Sequence, residues 1–459
     1  MSYKLVVIGG GPGGYVAAVR AAQLGASVAL VEKDELGGTC LNRGCIPTKA
    51  LAAGAALYAD ICRAADFGIG TGAVTLDFSR LMERKNQVVC RLAQGIDYLL
   101  KKNKIDLFRG AACLSAPGRV MVEGPDPVPV ELAAENIILA TGTGPALIPS
   151  LGYDGSRVIT SDEALELDCV PEKLVVIGGG VIGCEFASIF AALGAQVTIL
   201  EIMPNILPVA DKEAARQMQG FFKRRGITVK TKVKVREVEK SPGAVAVKLE
   251  SGEEILADKV LISIGRSMNT CGLGLEECGV ALGSKGEVIV DERMETSVPG
   301  IYAVGDITCR IQLAHVASAQ GLVAVDNIMG RSRTMDYRVV PNCIFTRPEI
   351  AGVGLTTQEA EEKGISFKAG KFSFLASGKA QVMGETDGFV KVLADPRSDR
   401  VLGVHIVGPH ATDLIAEAAL AVRMGVTAGQ LASTIHAHPT LAESLMEAAE
   451  AVHGMSIHT

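Results

Sequence analysis

The chain has 459 residues, enough for two to four domains that each bury a core of their own. Hydrophobic residues make up 48% and aromatics only 4%, with no Trp, so Val, Ile, Leu and Ala must build the core. That composition suits buried parallel strands covered by helices. A net charge of −6, with both signs interspersed and no basic run between aromatics, argues against nucleic-acid binding.

The first element, Tyr3 to Ile8, is an apolar strand that runs straight into Gly9-Gly10-Gly11-Pro12-Gly13-Gly14. The glycines at 9, 11 and 14 fit G-x-G-x-x-G, a helix rich in Ala follows to Gly25, and a second strand, Ser27 to Val31, ends in Glu32. In such a unit a pyrophosphate approaches the backbone at the helix N-terminus, and the acid accepts hydrogen bonds from ribose hydroxyls. This start has no cleavable export signal and no segment offers about 18 apolar residues without a charge, so a cytoplasmic protein without membrane contact is expected.

Next comes Gly37-Gly38-Thr39-Cys40-Leu41-Asn42-Arg43-Gly44-Cys45-Ile46-Pro47-Thr48-Lys49, with two cysteines five positions apart. A regular helix would hold their Cα atoms more than about 7 Å apart, beyond disulfide reach. The glycines at 38 and 44 allow an irregular turn that closes the gap. A bridge beside a nucleotide motif reads as a working redox group. The other nine of the eleven cysteines are scattered; they read as buried packing thiols, and no metal site is expected.

Helices are predicted from about Lys49 to Arg63 and from Phe78 to Lys102, with a polar turn region near Gly68 to Gly72 between them. Strand-like runs follow at Ile105 to Arg109, Val128 to Leu132 and Ile137 to Gly142. The nucleotide syntax then returns: strand Leu174 to Ile177, Gly178-Gly179-Gly180-Val181-Ile182-Gly183, a helix through Ala192, and a strand from Gln196 that ends in Glu201. Two dinucleotide sites in one chain imply that two redox cofactors meet. Glu201 suits a free 2′-hydroxyl and repels a 2′-phosphate, which favours NAD over NADP.

The run Val260 to Gly265 matches Ile137 to Gly142 and closes the second half. From about Val339 the texture changes to strands (Phe389 to Leu393, Val401 to Val407) and then helices, one of them Leu414 to Val426, as in an α+β domain. Near the end, His436-Ala437-His438-Pro439-Thr440-Leu441-Ala442-Glu443 offers an acid–base candidate. Pro439 disfavours helical geometry at His438, leaving its imidazole at the mouth of the next helix. Thr440 and Glu443 also read as a capping box on that helix.

With these motifs assembled, the chain resembles the dihydrolipoamide dehydrogenases, a group of flavoprotein disulfide reductases, over nearly its whole length. The resemblance rests on Gly9 to Gly14, Gly37 to Lys49, Ala140 to Thr143, Gly178 to Glu185 and Ile264 to Arg266. Gly300 to Asp306, Leu313 to His315, Phe345 to Glu349 and His438 to Glu443 complete it. It implies an α/β fold with two Rossmann-like domains, for FAD and NAD, and a C-terminal α+β dimerisation domain. The implied boundaries are 1–144 for the FAD part with the cysteines, 145–266 for NAD, 267–338 for the returning FAD part and 339–459 for dimerisation.

FAD is then expected at Gly9, Gly11, Pro12, Gly13, Gly14, Glu32, Lys33, Gly38, Thr39, Lys49, Gly110, Ala140, Thr141, Gly142, Gly305, Asp306, Leu313, Ala314 and His315. NAD is expected at Gly178, Gly180, Val181, Ile182, Gly183, Glu185, Glu201, Val233 and Gly265. By the same resemblance Cys40 exchanges with substrate, Cys45 passes electrons to the flavin, and His438, oriented by Glu443, serves the cysteines of the opposite subunit of a homodimer. The implied partner is the lipoyl domain or lipoyl carrier protein of a multienzyme complex. Arg43 departs from the usual apolar residue and is expected to favour a cysteine thiolate; Thr48 replaces a common serine. Glu201 speaks against an NADP-linked glutathione reductase, and a tail without a cysteine pair speaks against mercuric reductase.

Overall fold

A computed structural model describes residues 1–124, 128–241 and 243–458, and the chain divides into two compact units. The first comprises residues 1–51, 79–146 and 265–336; the second comprises 52–78, 147–264 and 337–459.

The first unit is built on a parallel sheet in the order Asp106–Arg109, Val28–Glu32, Ser2–Ile8, Val130–Leu139, with Ile301–Ala303 pairing the last of these. Leu5, Val7 and Leu30 point to one face and pack with Ala17, Ala21 and Val323 of the helices Pro12–Gln23 and Ala314–Ile328. Val6, Ile8 and Val31 point to the other face and pack with Leu273, Leu275 and Ile307. Both faces are covered, so the strands are apolar where they pair at the centre, at Leu5 to Ile8, Val28 to Val31 and Ile137 to Leu139; burying one such Val or Leu contributes about 1.5–3 kcal/mol.

The two expected runs Val128 to Leu132 and Ile137 to Gly142 are one strand, Val130–Leu139. Its first residues pair antiparallel with Arg119–Glu123, and from Ala133 onward it pairs parallel with Ser2–Ile8. A change of partner, which no local pattern encodes, divided it in the sequence. The predicted helix Lys49 to Arg63 begins earlier, spanning Cys45–Cys62, because Pro47 falls in its first turn where no amide hydrogen is needed.

The second unit repeats the parallel plan in the order Thr228–Thr231, Gln196–Glu201, Lys173–Ile177, Lys259–Ile262, Val158–Ile159. A three-stranded antiparallel sheet, Val235–Ser241, Ala244–Leu249 and Glu254–Ala257, packs on it through Val238, Val245 and Val247. The C-terminal part is a five-stranded antiparallel sheet in the order Asn342–Ile344, Glu349–Gly354, Val401–Gly408, Phe389–Ala394, Lys368–Ser373. Helices Ala411–Met424, Ala428–Ser433 and Glu443–Ala451 share its core through Ile415, Leu431 and Leu445. A Cβ on Gly370 would lie 2.2 Å from the Ala448 carbonyl, so the helix that opens on Glu443 rests directly on the strand backbone.

Candidate active site

The two glycine turns follow one plan. Gly9 has φ +104° and a Cβ there would lie 2.4 Å from the Ala140 carbonyl; Gly178 has φ +109° and its Cβ would lie 2.3 Å from that of Ser263. A Cβ on Gly14 would fall 1.8 Å from the Gly9 carbonyl, and one on Gly183 would fall 2.1 Å from that of Gly178. Backbone fills this space, so only glycine fits at the four positions. Beyond the turns, helices Pro12–Gln23 and Val181–Ala192 start at Gly11 and Gly180 with neither a side-chain cap nor an acid in the first turn. Gly13, like Val181 and Ile182, thus sits in a first helical turn whose N–H groups and positive end suit an anion, and Pro12, which has no N–H, opens the first of the two helices.

The two acids complete the plan. Glu32 accepts the Gly10 N–H at 2.6 Å and the Asp34 N–H at 2.8 Å; Glu201 accepts those of Gly179 at 2.6 Å and Met203 at 2.7 Å. Each oxygen keeps a lone pair for a ribose hydroxyl. Gly110 donates its N–H to the Glu32 carbonyl at 3.0 Å, as Val233 does to that of Glu201 at 3.1 Å, so both predicted contacts lie beside their acids. Lys33 follows Glu32 and is exposed.

The cysteine segment packs on the first turn. Gly37 N–H donates to the Gly10 carbonyl at 2.9 Å, and a Cβ on Gly38 would lie 2.7 Å from Gly11 Cα. A short helix, Gly38–Asn42, carries Thr39 and Cys40, ends at Arg43, and a new helix starts at Cys45. This break, rather than one continuous helix, brings the cysteines together. The left-handed residues are Gly37 and Gly38, not Gly44; Gly44 is needed for space, since its Cβ would lie 2.9 Å from the Thr39 carbonyl.

The thiols of Cys40 and Cys45 are hydrogen-bonded to each other. The Cys40 thiol is pushed up chiefly by that bond to Cys45, then by burial and the Cys45 charge, while the Lys49 cation acts the other way. Lys49, one turn into the redox helix, is thus a cation that bears on Cys40, and Arg43 pairs with the Asp34 carboxylate. The remaining cysteines depart from expectation: only Cys184 and Cys278 are buried, and Cys62, Cys90, Cys169 and Cys271 are exposed. Cys90 shows why: its helix Phe78–Lys102 is amphipathic, and Cys90 falls on the outer face.

The strand end Ala140-Thr141-Gly142 meets the turn Gly305–Thr308 through side chains. Thr143 donates its hydroxyl hydrogen to Asp306 at 2.8 Å, and Arg266 Nε donates to the Thr143 hydroxyl at 2.6 Å. The Gly305 N–H donates to the fully buried Gln320 at 2.7 Å. Helix Ala314–Ile328 starts at Leu313, again uncapped and without an acid in its first turn, with His315 exposed. Sequence reading assigned no role to Thr143, Arg266 or Gln320, because the contacts join positions 15 to 163 residues apart.

In the second unit, buried Glu185 accepts the Phe345 N–H at 2.9 Å, another link without a local signal. Gly265 has φ +131° and is exposed. His438 Nδ1 lies 2.9 Å from Glu443 Oε1. Burial pushes the Glu443 carboxyl up, but the Thr440 N–H and His438 outweigh it and hold it below its ordinary value. An ionised carboxylate only accepts, so Nδ1 carries the hydrogen and Nε2 is free to take a proton. His436 has both ring nitrogens engaged, with the Thr434 carbonyl at 2.8 Å and Glu417 at 2.9 Å. The capping box is only half present. Glu443 accepts the Thr440 N–H at 2.7 Å, but Thr440 donates its hydroxyl to Ala437 and Ala442 is the N-cap, because Glu443 is itself the first helical residue.

Among the described residues no helix is long and apolar enough to cross a membrane. Residues 3–321 match the pyridine nucleotide-disulphide oxidoreductase family, and residues 340–449 match the dimerisation domain of the same family. The chain is 43% identical to a dihydrolipoyl dehydrogenase of Bacillus subtilis, with 99% of each covered. It is 45% identical to that of Thermus scotoductus, over 100% of this chain and 99% of the relative. Among solved structures, Mycobacterium tuberculosis LpdA superposes with a TM-score of 0.92 at 30% identity, covering 97% of this chain and 99% of the other. The Escherichia coli flavoprotein disulfide reductase RclA gives 0.89 at 30%, with 98% and 99% covered. Twin glycine turns, a paired-cysteine helix break and these matches agree: the chain belongs to the pyridine nucleotide-disulphide oxidoreductase family.

Proposed function

We propose that the chain oxidises protein-bound dihydrolipoamide to lipoamide and reduces NAD, acting as a cytoplasmic homodimer that serves a lipoyl domain or lipoyl carrier protein. The observation that carries this reading is the cysteine pair seated on the first glycine turn, in a chain whose full-length relatives are dihydrolipoyl dehydrogenases. Residues 1–144 and 267–338 are assigned to FAD, 145–266 to NAD and 339–459 to dimerisation.

Bound FAD would supply a two-electron relay between the cysteines and NAD, which leaves with a hydride. The Gly9 to Gly14 turn and Glu32 would hold the first cofactor, the Gly178 to Gly183 turn and Glu201 the second. The protein's own part is thiol exchange. One substrate thiol gives its proton to Nε2 of His438 of the partner subunit and attacks Cys40 in the Cys40–Cys45 disulfide; a substrate–Cys40 bond forms and Cys45 leaves as thiolate. The second substrate thiol attacks the substrate sulfur of that mixed bond, and its proton passes to the departing Cys40 sulfur. Lipoamide closes and Cys40 is released, so the pair is reduced by two electrons. A thiol pKa of about 8.5 leaves few thiolates at neutral pH, hence the need for a base.

The test compares dihydrolipoamide, glutathione and mercuric ion as substrates, each with NAD(H) and NADP(H). Turnover with dihydrolipoamide and NAD alone is expected. His438→Gln should cut that turnover by about 10²–10⁴-fold, the usual worth of a general base, while NADH still reduces the flavin. Retained lipoamide turnover in this variant would remove His438 from the mechanism.

A further inference from the structure

Helix Cys45–Cys62 opens on a redox cysteine; its own last turn carries no basic residue to complement the negative helix end. Arg63 just past it lies 3.9 Å from the Asp60 carboxylate, and among the described residues its side chain touches no helix carbonyl. A cation arrives from far away in sequence. Arg347, in the Phe345 to Pro348 loop, donates from Nη1 to the Ala56 carbonyl at 3.0 Å and from Nη2 to the Asp60 carboxylate at 2.5 Å. Nη2 also meets the Glu385 carboxylate, and the Arg347 side chain is only 20% exposed.

The same loop grips a second helix. The Arg347 N–H donates to Ser188 Oγ at 3.2 Å and the Phe345 N–H to Glu185 at 2.9 Å, both on helix Val181–Ala192. We propose that Arg347 is a positioning residue: its guanidinium fork clamps the far end of the redox helix and so fixes the placement of Cys45 at the near end. This rests on Cys40 and Cys45 being the redox pair.

Distance selects the mode of action. Eleven residues separate Cys45 from Ala56, about 16 Å along a helix axis. That is about two screening lengths at physiological salt, so the charge of Arg347 reaches the thiols weakly. A hydrogen-bonded helix is stiff, however, and a fork that holds the helix at two oxygens, of Ala56 and Asp60, while Glu385 anchors the guanidinium, fixes both its position and its rotation. Lys in its place would keep the charge but lose the fork.

The experiment uses the full-length, flavin-loaded protein, equilibrated with mixtures of lipoamide and dihydrolipoamide. The reduced fraction of Cys40 and Cys45 is read by alkylation and mass spectrometry, beside steady-state turnover. Arg347→Met is expected to shift the exchange equilibrium by about threefold or more. Its dihydrolipoamide turnover should fall by about tenfold, as misplacement of reacting groups requires. Arg347→Lys should recover part of both, and Asp60→Asn should move both in the same direction by less. Should Arg347→Met fail to fold, the Lys and Asn variants give the same two readings. An unchanged exchange equilibrium in the variants overturns the proposal, including when the melting temperature drops, since that marks a merely structural contact. If the wild-type protein fails to oxidise dihydrolipoamide, the substrate reading falls, while a shifted equilibrium against glutathione would still support the clamp.

Discussion

Cys40 and Glu443 are pushed in opposite directions by the groups that touch them. The bond to Cys45, burial and the Cys45 charge keep a proton on Cys40, so the reduced pair holds one proton tightly. The Thr440 N–H and His438 keep Glu443 ionised against its burial. A charged Glu443 only accepts, and so fixes the imidazole tautomer with the hydrogen on Nδ1. Glu443→Gln keeps a hydrogen bond but removes the charge. Dihydrolipoamide turnover should fall by about tenfold, with flavin content unaltered, as checked by steady-state rates and the visible spectrum. Arg43 sits between the cysteines in sequence, and its side chain pairs with the Asp34 carboxylate.

At the scale of elements, the strand–glycine–helix–strand–acid unit was legible twice because each of its parts is local. Strand, turn and helix follow one another within about 25 residues, and the glycines are demanded by backbone that the same unit supplies. The parallel can be tested by matched substitutions. Gly14→Ala puts a methyl 1.8 Å from the Gly9 carbonyl and should yield protein with little bound FAD. Gly183→Ala meets the Gly178 carbonyl at 2.1 Å and should leave flavin binding intact while raising KM for NAD about tenfold or more. Flavin absorbance per chain and NAD titration separate the two outcomes. The irregular link between Cys40 and Cys45 was legible only as a need for an irregular turn. Where the left-handed residues fall, at Gly37 and Gly38, depends on the Gly37 N–H reaching the Gly10 carbonyl.

At the scale of the whole molecule, the second unit contains a buried ion pair that ties the C-terminal sheet to the segment after the second glycine turn. Lys391 Nζ lies 2.5 Å from Asp211 Oδ1 and 2.9 Å from the Thr357 hydroxyl, with side chains 6% and 0% exposed for the pair. Burial pushes the Asp211 carboxyl up, but His405, Lys391 and Thr357 together hold it well below its ordinary value. Burial lowers His405 and leaves it neutral near pH 7, so Lys391 is the charge that keeps Asp211 ionised. Asp211→Asn would strand a buried ammonium and should cost about 3–5 kcal/mol of stability by denaturant unfolding. The sign with pH follows from linkage: a folded value below 3.8 stabilises fully above 3.8, and that contribution is lost as pH falls through the folded value. The gap between wild type and Asp211→Asn should therefore narrow on acidification below about pH 4.

The sequence by itself determined the α/β class, the two strand–glycine–helix–strand–acid units and the close spacing of Cys40 and Cys45, because short-range backbone and side-chain chemistry dictates each of them. Tertiary structure alone decided which side chains brace those groups. Thr143 with Asp306, Phe345 with Glu185, Arg347 with Asp60 and Lys391 with Asp211 are joined across 160 to 287 residues. Such contacts depend on how elements pack, and packing leaves no periodicity in the chain for a reader to find.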